Sequence, residues 1–570
     1  MEMYKRLIAK HASFVLDQVG EEEITALLDY PQHAAMGDIC LPCFKLSKLY
    51  RKSPQHIAEQ LAQQLSSDMI ERVEAVAGYV NIFLNKGKLA KQIIQQVLDQ
   101  ANSYGSRNIG QGKTVVIDFS SPNIAKPFHI AHLRSTVIGH SLHRIFSFLG
   151  YSSIRINHLG DWGTQFGKLI VAYKLWGDDE LLEEHGIDEL LKLYVKFHEK
   201  AEQEASLEDE ARQWFVRMEA GDEEALQLWH RFVNISITEF QRIYDLLGVE
   251  FDSYAGESFY NDKMEQVVSE LQHKQLLEKD EGASLVRLDA YHMPPALILK
   301  KDGSSLYHTR DIAAAIYRKS TYNFEKAVYV TDYAQNLHFQ QWFKVIELMG
   351  YEWHRDLLHV AFGRVSLEGM GLSTRKGNVI KLEDVLTQAI AKTKDIIEAR
   401  NPSLNDKDKV AKEVGVGAII FNDLSSSRIK DIVFTWEDSL NFEGETGPYV
   451  QYAHARASSV IKKAAQKLGQ EVVATDDGLA TLTDDASIQV IKQLAQFTEK
   501  IELAMHKLEP SIVSRYAIDL AQSFNQYYHH NPILNALDEV RQARLALVKA
   551  VQITLRNALY LIGLAAPEEM

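Results

Sequence analysis

KTVVIDFSSPNIAKPFHIAHLRSTVIGHSLHRIFSFLGYSSIRINHLG, residues 113–160, decides how the chain is read. Its first segment, KTVVIDFS, is short and β-branched and lies between Gly112 and the Ser-Ser-Pro run at 120–122, which marks a strand that stops at a turn. A helical pattern follows from about His129 to Phe148 and ends at Gly150, and a second strand candidate, SSIRINHLG, comes after Tyr151. Strand, turn, helix and strand in that order build a parallel βαβ crossover. The turn sets His129 and His132 three residues apart on the first helical turn, beside backbone N–H groups that lack an intrahelical partner and carry partial positive charge. Phosphate is the obvious guest at such a place. Taken alone, the pair reads more simply as core or capping histidines. Zinc fits it worse than either, because a helical pair of zinc ligands favours i, i+4 spacing and no acidic or thiol partner lies at ligand spacing nearby.

Working outward, the 570 residues exceed what one hydrophobic core organises, and roughly 150 residues per domain points to three or four units. Residues 1–108 alternate helical patterns with the strand-like VEAVAGYVNIFLN and close on the linker-like NSYGSRNIGQGK, so a small α+β domain is expected. The βαβ unit opens a second domain, 109–384, that is interrupted from about 175 to 290 by long acidic helix-forming segments. Alternating charge there reads as a solvated helical insertion. Strand signals return in ALILKKDGSSLYHTRDIAAAIYR and EKAVYVTDYAQNLHFQQWFKVIELMG, where the interrupted sheet is expected to resume. From 385 to 570 the pattern is almost wholly helical, except around 470, so a third, all-α domain is expected.

A hydrophobic content of 46% with 24% charged residues is that of an ordinary soluble globular chain, and the amino-terminal residues show no secretory pattern. The expectation is a cytoplasmic protein without membrane contact. Cys40 and Cys43 are the two cysteines, so a disulfide framework is excluded, and CLPC is read as amphipathic core because there is no second thiol pair. Sixty-two basic and 77 acidic side chains give a net charge of −15, which argues against indiscriminate binding of polyanions. A local basic face would have to come from clusters such as Arg428 and Lys430, or Lys462, Lys463 and Lys467, or Arg541, Arg544, Lys549 and Arg556.

SSPNIAKPFHIAHLRSTVIG resembles the HIGH signature of class I aminoacyl-tRNA synthetases, and its extended form resembles that of the arginyl-tRNA synthetases. The likeness continues, in order, through RINHLGDWGTQFGKLI, SLYHTRDIAAAIYR, VYVTDYAQNLHFQQWF, GMGLSTRKGNVIKLEDV, NFEGETGPYVQYAHAR and LYLIGLAAPEEM, covering nearly the whole chain. The resemblance implies a Rossmann-type parallel-sheet catalytic domain, an amino-terminal domain that contacts the tRNA and a helical anticodon-binding domain. It implies ATP with Mg²⁺, L-arginine and tRNA(Arg) as partners, a monomer, and no structural zinc. The implied ATP site comprises His129, Ala131, His132, Ser373 and Arg375, with Lys126, Arg375 and Lys376 as candidate cations for the departing pyrophosphate. Asp311 would accept the arginine guanidinium, with Tyr307 one turn before it and Gln335 from the next strand-to-helix segment; Ser121 and Asn123 would hold the α-ammonium and carboxylate, and Asp118 would add negative charge nearby. A planar guanidinium with five donors suits bidentate acceptance by a carboxylate. For tRNA, Tyr79 and Asn81 fall where the amino-terminal domain of the family meets an unstacked base, and Tyr449 and Tyr452, with Tyr527 and Tyr528, are candidate stacking platforms for the anticodon loop.

Two departures from the class pattern stand out. Ala131 replaces the usual Gly, putting a methyl under the adenine, and the second signature loop reads GLSTRKG at 371–377, with Thr374 where a lysine belongs. A different class I synthetase, such as the cysteinyl enzyme, is disfavoured by the absence of a zinc-binding Cys and His set and by the presence of Tyr307, Asp311 and Gln335. A noncatalytic RNA-binding paralogue is favoured by the altered loop alone.

Overall fold

The computed structural model describes residues 1–301, 307–367, 380–468 and 475–570. At its centre, β1 (Thr114–Asp118) pairs in parallel with β2 (Ser152–Ile156) on one side and, across the interruption, with β3 (Lys326–Asp332) on the other. A fourth strand, β4 (Leu357–Phe362), extends the sheet in parallel beside β3 and gives the order β4-β3-β1-β2. The crossover from β1 to β2 is α1 (Ile130–Phe148), which stops where Gly150 turns the chain at φ +86°. Gly139, in mid-helix, lets α1 lie against the exit of β1, since a methyl there would come 2.2 Å from the Phe119 ring. Two further helices flank β3: α2 (Tyr307–Tyr322) enters it and α3 (Asn336–Leu348) leaves it. Trp342 of α3 is fully buried and packs edge-on against Tyr329 of β3, anchoring that layer.

One strand expectation is corrected. The segment at Ala296–Leu299 does form a strand, but it pairs antiparallel with Ala283–Val286 in a separate three-stranded sheet, and the parallel sheet resumes at Lys326. Local composition favours a strand without naming its partner. The interruption is helical from Thr164–Trp176 through Glu223–Leu247, with the small sheet at its far end.

Residues before 105 form a three-stranded antiparallel sheet, Ile39–Pro42, Tyr79–Leu84 and Ile70–Val76, covered by helices. One of these helices, Pro54–Gln64, starts as the sequence demands: Ser53 caps it and Pro54 occupies its first turn. The carboxy-terminal region is a helical bundle whose principal members are Leu382–Arg400, Lys407–Leu424, Gly447–Leu468, Asp485–Lys507, Ser511–His530 and Asp538–Leu561. Among the described residues it carries one short strand, Ile432–Phe434, that pairs in parallel with Val365–Leu367 and so ties the bundle to the sheet region; the exception expected around 470 lies outside the described residues.

A buried arginine makes the same connection from the other side. Arg134 of α1 donates to the carbonyls of Gly363 and Lys430 at 3.1 and 2.7 Å and faces Asp423 of the bundle at 3.3 Å. Burial pushes the Asp423 carboxyl up to about 6 despite the guanidinium beside it, so desolvation offsets much of the attraction. What the pair secures is position. Several of the basic clusters serve a similar purpose: Arg428 holds the carbonyls of Leu508 and Ala361, and Arg541 and Arg544 hold those of Ala536 and Pro532. Among the described residues no helix is long and apolar enough to cross a membrane.

Candidate active site

In a parallel sheet the helices run against the strands, so helices that follow or precede a strand start at its carboxyl edge. The first turns of α1, α2 and α3 therefore share one rim, and the predicted site residues of these segments sit there. The loop leaving β1 is held in a strained form, with Ser120, Ser121 and Ala125 at φ of +72°, +47° and +61°. A buried network enforces it. Ser120 N–H donates to Ser135 Oγ, Ser121 N–H to Asn157 Oδ1, and Ala125 N–H to Ser236 Oγ, while the Ser120 and Tyr244 hydroxyls meet at 2.8 Å. Ser236 and Tyr244 belong to the insertion, whose helix thus shapes the loop from outside the sheet.

His129 is the N-cap of α1 and His132 lies one turn in. Their rings stack at 3.7 Å between centroids, and the His129 N–H donates to His132 Nδ1 at 3.2 Å. That bond fixes the His132 tautomer, leaving Nε2 to carry the proton. Burial, helped by Lys126, lowers His129 to about 4, and burial with the charges of His129 and Lys126 takes His132 well below its ordinary value. Both imidazoles are neutral donors near neutral pH. Phe128, with Phe240 and Tyr244 edge-on to it, walls this end. Ala131 is half-buried on the same turn, and Lys126 lies 5.9 Å from the Tyr194 ring of the insertion. Residues 380–382 return to the same point, Ile130 N–H donating to the Ile380 carbonyl and Leu382 N–H to that of Phe128. Ser373, Thr374, Arg375 and Lys376 lie outside the described residues.

The other end of the rim is built from charge. Asp118, buried at the end of β1, accepts the Ser121 hydroxyl at 2.9 Å and pairs with Arg318 of α2 at 2.8 Å. The negative charge expected of Asp118 is thus already matched by a buried guanidinium. Arg318 also donates to His158 Nδ1 at 3.4 Å, and burial keeps His158 below its ordinary value although Asp118 and Asp311 pull the other way. Asp311, one turn into α2, accepts from His338 Nε2 of α3 at 2.5 Å. Burial would raise its pKa, yet that bond and the nearby charges of His338, His158 and His308 bring it below the usual value. Glu257, from the insertion, is pushed up to about 7 by burial, against the pull of Arg310 at 3.4 Å and reinforced by Asp311 and Asp161. Glu257 thus feels Asp311 and Asp161, and Arg310 and Arg318 answer Glu257 and Asp118.

Tyr307 opens α2 at 66% exposure, one turn before Asp311, and Gln335 is exposed in the turn at the head of α3. Asn123 is exposed beside Gly160. Sequence reading overlooked Arg318, His158, Glu257 and His338. Arg318 lies seven residues beyond Asp311, two helical turns on the same face, a spacing that could have revealed it. Glu257 carries no such signal within an acidic insertion.

Two of the tRNA candidates are buried: Asn81 sits in the middle strand opposite Cys40 and Glu74 at 6% exposure, and Tyr527 is at 0%. Tyr79 is exposed, edge-on to Phe44 at 5.2 Å. In the bundle, Tyr452 and Tyr528 are exposed and flank the Arg456 guanidinium at 4.7 and 5.6 Å, while half-buried Tyr449 accepts from Asn525. Tyr452, Arg456 and Tyr528 line a groove of about 540 Å³ that Lys463 and Met570 also border.

Comparison with known proteins agrees with this geometry. Residues 93–436 match the model of the class I tRNA synthetase (R) catalytic domain, residues 450–570 the DALR anticodon binding domain, and residues 3–84 the arginyl tRNA synthetase N-terminal domain. Arginine–tRNA ligases of Alkaliphilus metalliredigens and Clostridioides difficile are each 54% identical to this chain, with 100% of both chains covered. The solved arginyl-tRNA synthetase of Thermus thermophilus shares the fold at a TM-score of 0.82, with 24% identity over 99% of each chain. A catalytic-domain match over more than half the residues, together with full-length relatives at this identity, means that the chain belongs to the arginyl-tRNA synthetase family.

Proposed function

We propose that this protein is an arginine–tRNA ligase, activating L-arginine with ATP to arginyl-adenylate and passing the arginyl group to the 3′ end of tRNA(Arg). What supports the reading is topology: the helix start that carries His129 and His132 and the acidic cluster around Asp311 both lie toward the carboxyl edge of the parallel sheet. The guanidinium of arginine enters between Asp311 and Glu257, with Tyr307 and Gln335 at the mouth, while Ser121 and Asn123 take its α-ammonium and carboxylate. The substrate carboxylate oxygen attacks the α-phosphorus of ATP and the bond to pyrophosphate breaks. The tRNA's terminal ribose hydroxyl then attacks the arginyl carbonyl and displaces AMP. His132 Nε2–H and the His129 ring donate to the phosphates, stabilising charge that grows in the displacement, and the protein supplies position and electrostatics. Lys126, Arg375 and Lys376 are the candidates for neutralising pyrophosphate; neutral substitution of each, read by pyrophosphate exchange, identifies which one acts.

Among the described residues no group of three or more His, Cys, Asp or Glu is placed to hold a metal ion. Mg²⁺, when present, screens the phosphates it arrives with. For tRNA, the groove between Tyr452 and Tyr528 suits an unstacked anticodon base held over Arg456, and Tyr79 with Phe44 suits a base at the other end of the molecule. The working division of the chain is 1–108, 109–384 and 385–570, acting as a cytoplasmic monomer. Aminoacylation of total tRNA with each of the twenty amino acids tests the whole reading. Charging by arginine alone supports it, and ATP- and arginine-independent binding of RNA without charging would return the noncatalytic alternative.

A further inference from the structure

Asp311 is a carboxylate that must stay ionised and correctly turned in a pocket where Glu257, Asp118 and Asp161 are also acidic. Its terminal torsion is soft, because the last dihedral of an aspartate is broad and roughly two-fold. One contact restrains it. His338 Nε2 lies 2.5 Å from Asp311 Oδ2, and an ionised carboxylate only accepts, so Nε2 carries the proton and donates. His338 is itself placed by its surroundings. Its ring lies 4.5 Å from that of His308, whose Nε2 meets Gln341 Oε1 at 3.2 Å. The Gln341 amide cannot turn around, since its Nε2 already donates to the carbonyls of Pro294 and Pro295 at 2.9 and 3.2 Å. The chain of bonds thus runs from rigid backbone through Gln341 and His308 to the face of His338. It joins α2 to α3 directly behind the pocket.

We infer that His338 is a specificity-determining positioning residue: by holding Oδ2 of Asp311 it turns the carboxylate so that Oδ1 and the remaining lone pair of Oδ2 meet the two-pronged edge of a guanidinium. This rests on the assignment of Asp311 as the guanidinium acceptor. A fixed carboxylate plane matches a planar fork and gains little from the point charge of an ammonium, so the device favours arginine over lysine at the amino-acid step and leaves ATP binding alone. The energy at stake is that of a hydrogen bond to a charged group.

The test is steady-state aminoacylation at saturating tRNA with His338→Ala, which removes the donor, and His338→Gln, whose amide nitrogen falls near Nε2. In His338→Ala the KM for arginine is expected to rise about tenfold or more while the KM for ATP stays unchanged, and His338→Gln should lie within about threefold of the wild type. The ATP KM also reports that both variants are folded. A wild-type arginine KM in His338→Ala, equal losses in the two variants, or a parallel rise in the ATP KM would each overturn the inference. Asp311→Asn run alongside separates the two levels: a loss there with His338→Ala unaffected sinks this inference only, whereas no loss in Asp311→Asn removes the pocket assignment as well.

Discussion

The two ends of the crevice solve the same problem, holding a charged ligand away from bulk water, by opposite means. At the start of α1 the ligand would be an anion, and the protein meets it with backbone N–H groups and two neutral imidazoles. At the start of α2 it would be a cation, and the protein meets it with carboxylates that are kept ionised or shared by Arg310, Arg318 and His338. Dipoles need no counter-charge when the site is empty, but buried carboxylates do. That is why the groups offered to the anion come from one loop and one helix turn, whereas the charges at the cation end come from four separate segments of the chain.

The sharpest way to break this contrast is to remove one charge from the cation end. Asp311→Asn keeps the shape but leaves His338 and the guanidinium without their acceptor, and kcat/KM for arginine should fall about 100-fold or more, because losing one partner of a desolvated pair costs several kcal/mol. Full activity at ordinary arginine concentrations would mean that the acidic cluster is structural. At the other end, His132→Ala removes a single neutral donor, and kcat should fall about 100-fold with the KM for arginine little changed, as for a donor aimed at transition-state charge. A rise in the arginine KM equal to the fall in kcat would show that the two ends are not separable.

Away from the rim, Tyr452→Ala in the carboxy-terminal groove should raise the KM for tRNA about tenfold and spare arginine-dependent parameters, the scale of one lost base stack. Unaltered tRNA kinetics would move the anticodon contact elsewhere. The smallest effect is on stability. His129 and His143 are each lowered by burial from 6.5 to about 4, so the unfolded chain binds more protons than the folded one between those values. Stability from these groups is present in full above pH 6.5 and is lost as the pH falls toward 4. Melting at pH 7.5 and pH 5 should therefore show a Tm lower by about 1 °C at the acidic value for each kcal/mol lost. In His143→Asn that difference should shrink, and an unchanged difference would assign it to other groups.

How much of this was readable beforehand depends on the range of the interaction involved. The strand at 114–118, the helix from 130 and the stop at Gly150 follow from β-branching, an apolar period and a glycine, all local signals, and they were legible to within a residue or two. The burial of Asn81 and Tyr527 was not legible, because whether a side chain faces the core or the surface follows from pairing register and helix packing, which a residue's own neighbours do not carry. Ala296–Leu299 was read as a strand correctly and given the wrong sheet for the same reason.

The order of motifs along the chain determined, by itself, the family, the parallel sheet and the helices that begin at its carboxyl edge, since each rests on residues adjacent in sequence and on their resemblance to known signatures. Only the tertiary structure decided which charges answer which: that Arg318 neutralises Asp118, that Glu257 arrives from the insertion beside Arg310, and that His338 of one helix holds Asp311 of another. Those pairings join residues tens to hundreds of positions apart, and the energy of a buried charge is set by what folding brings within a few ångströms of it.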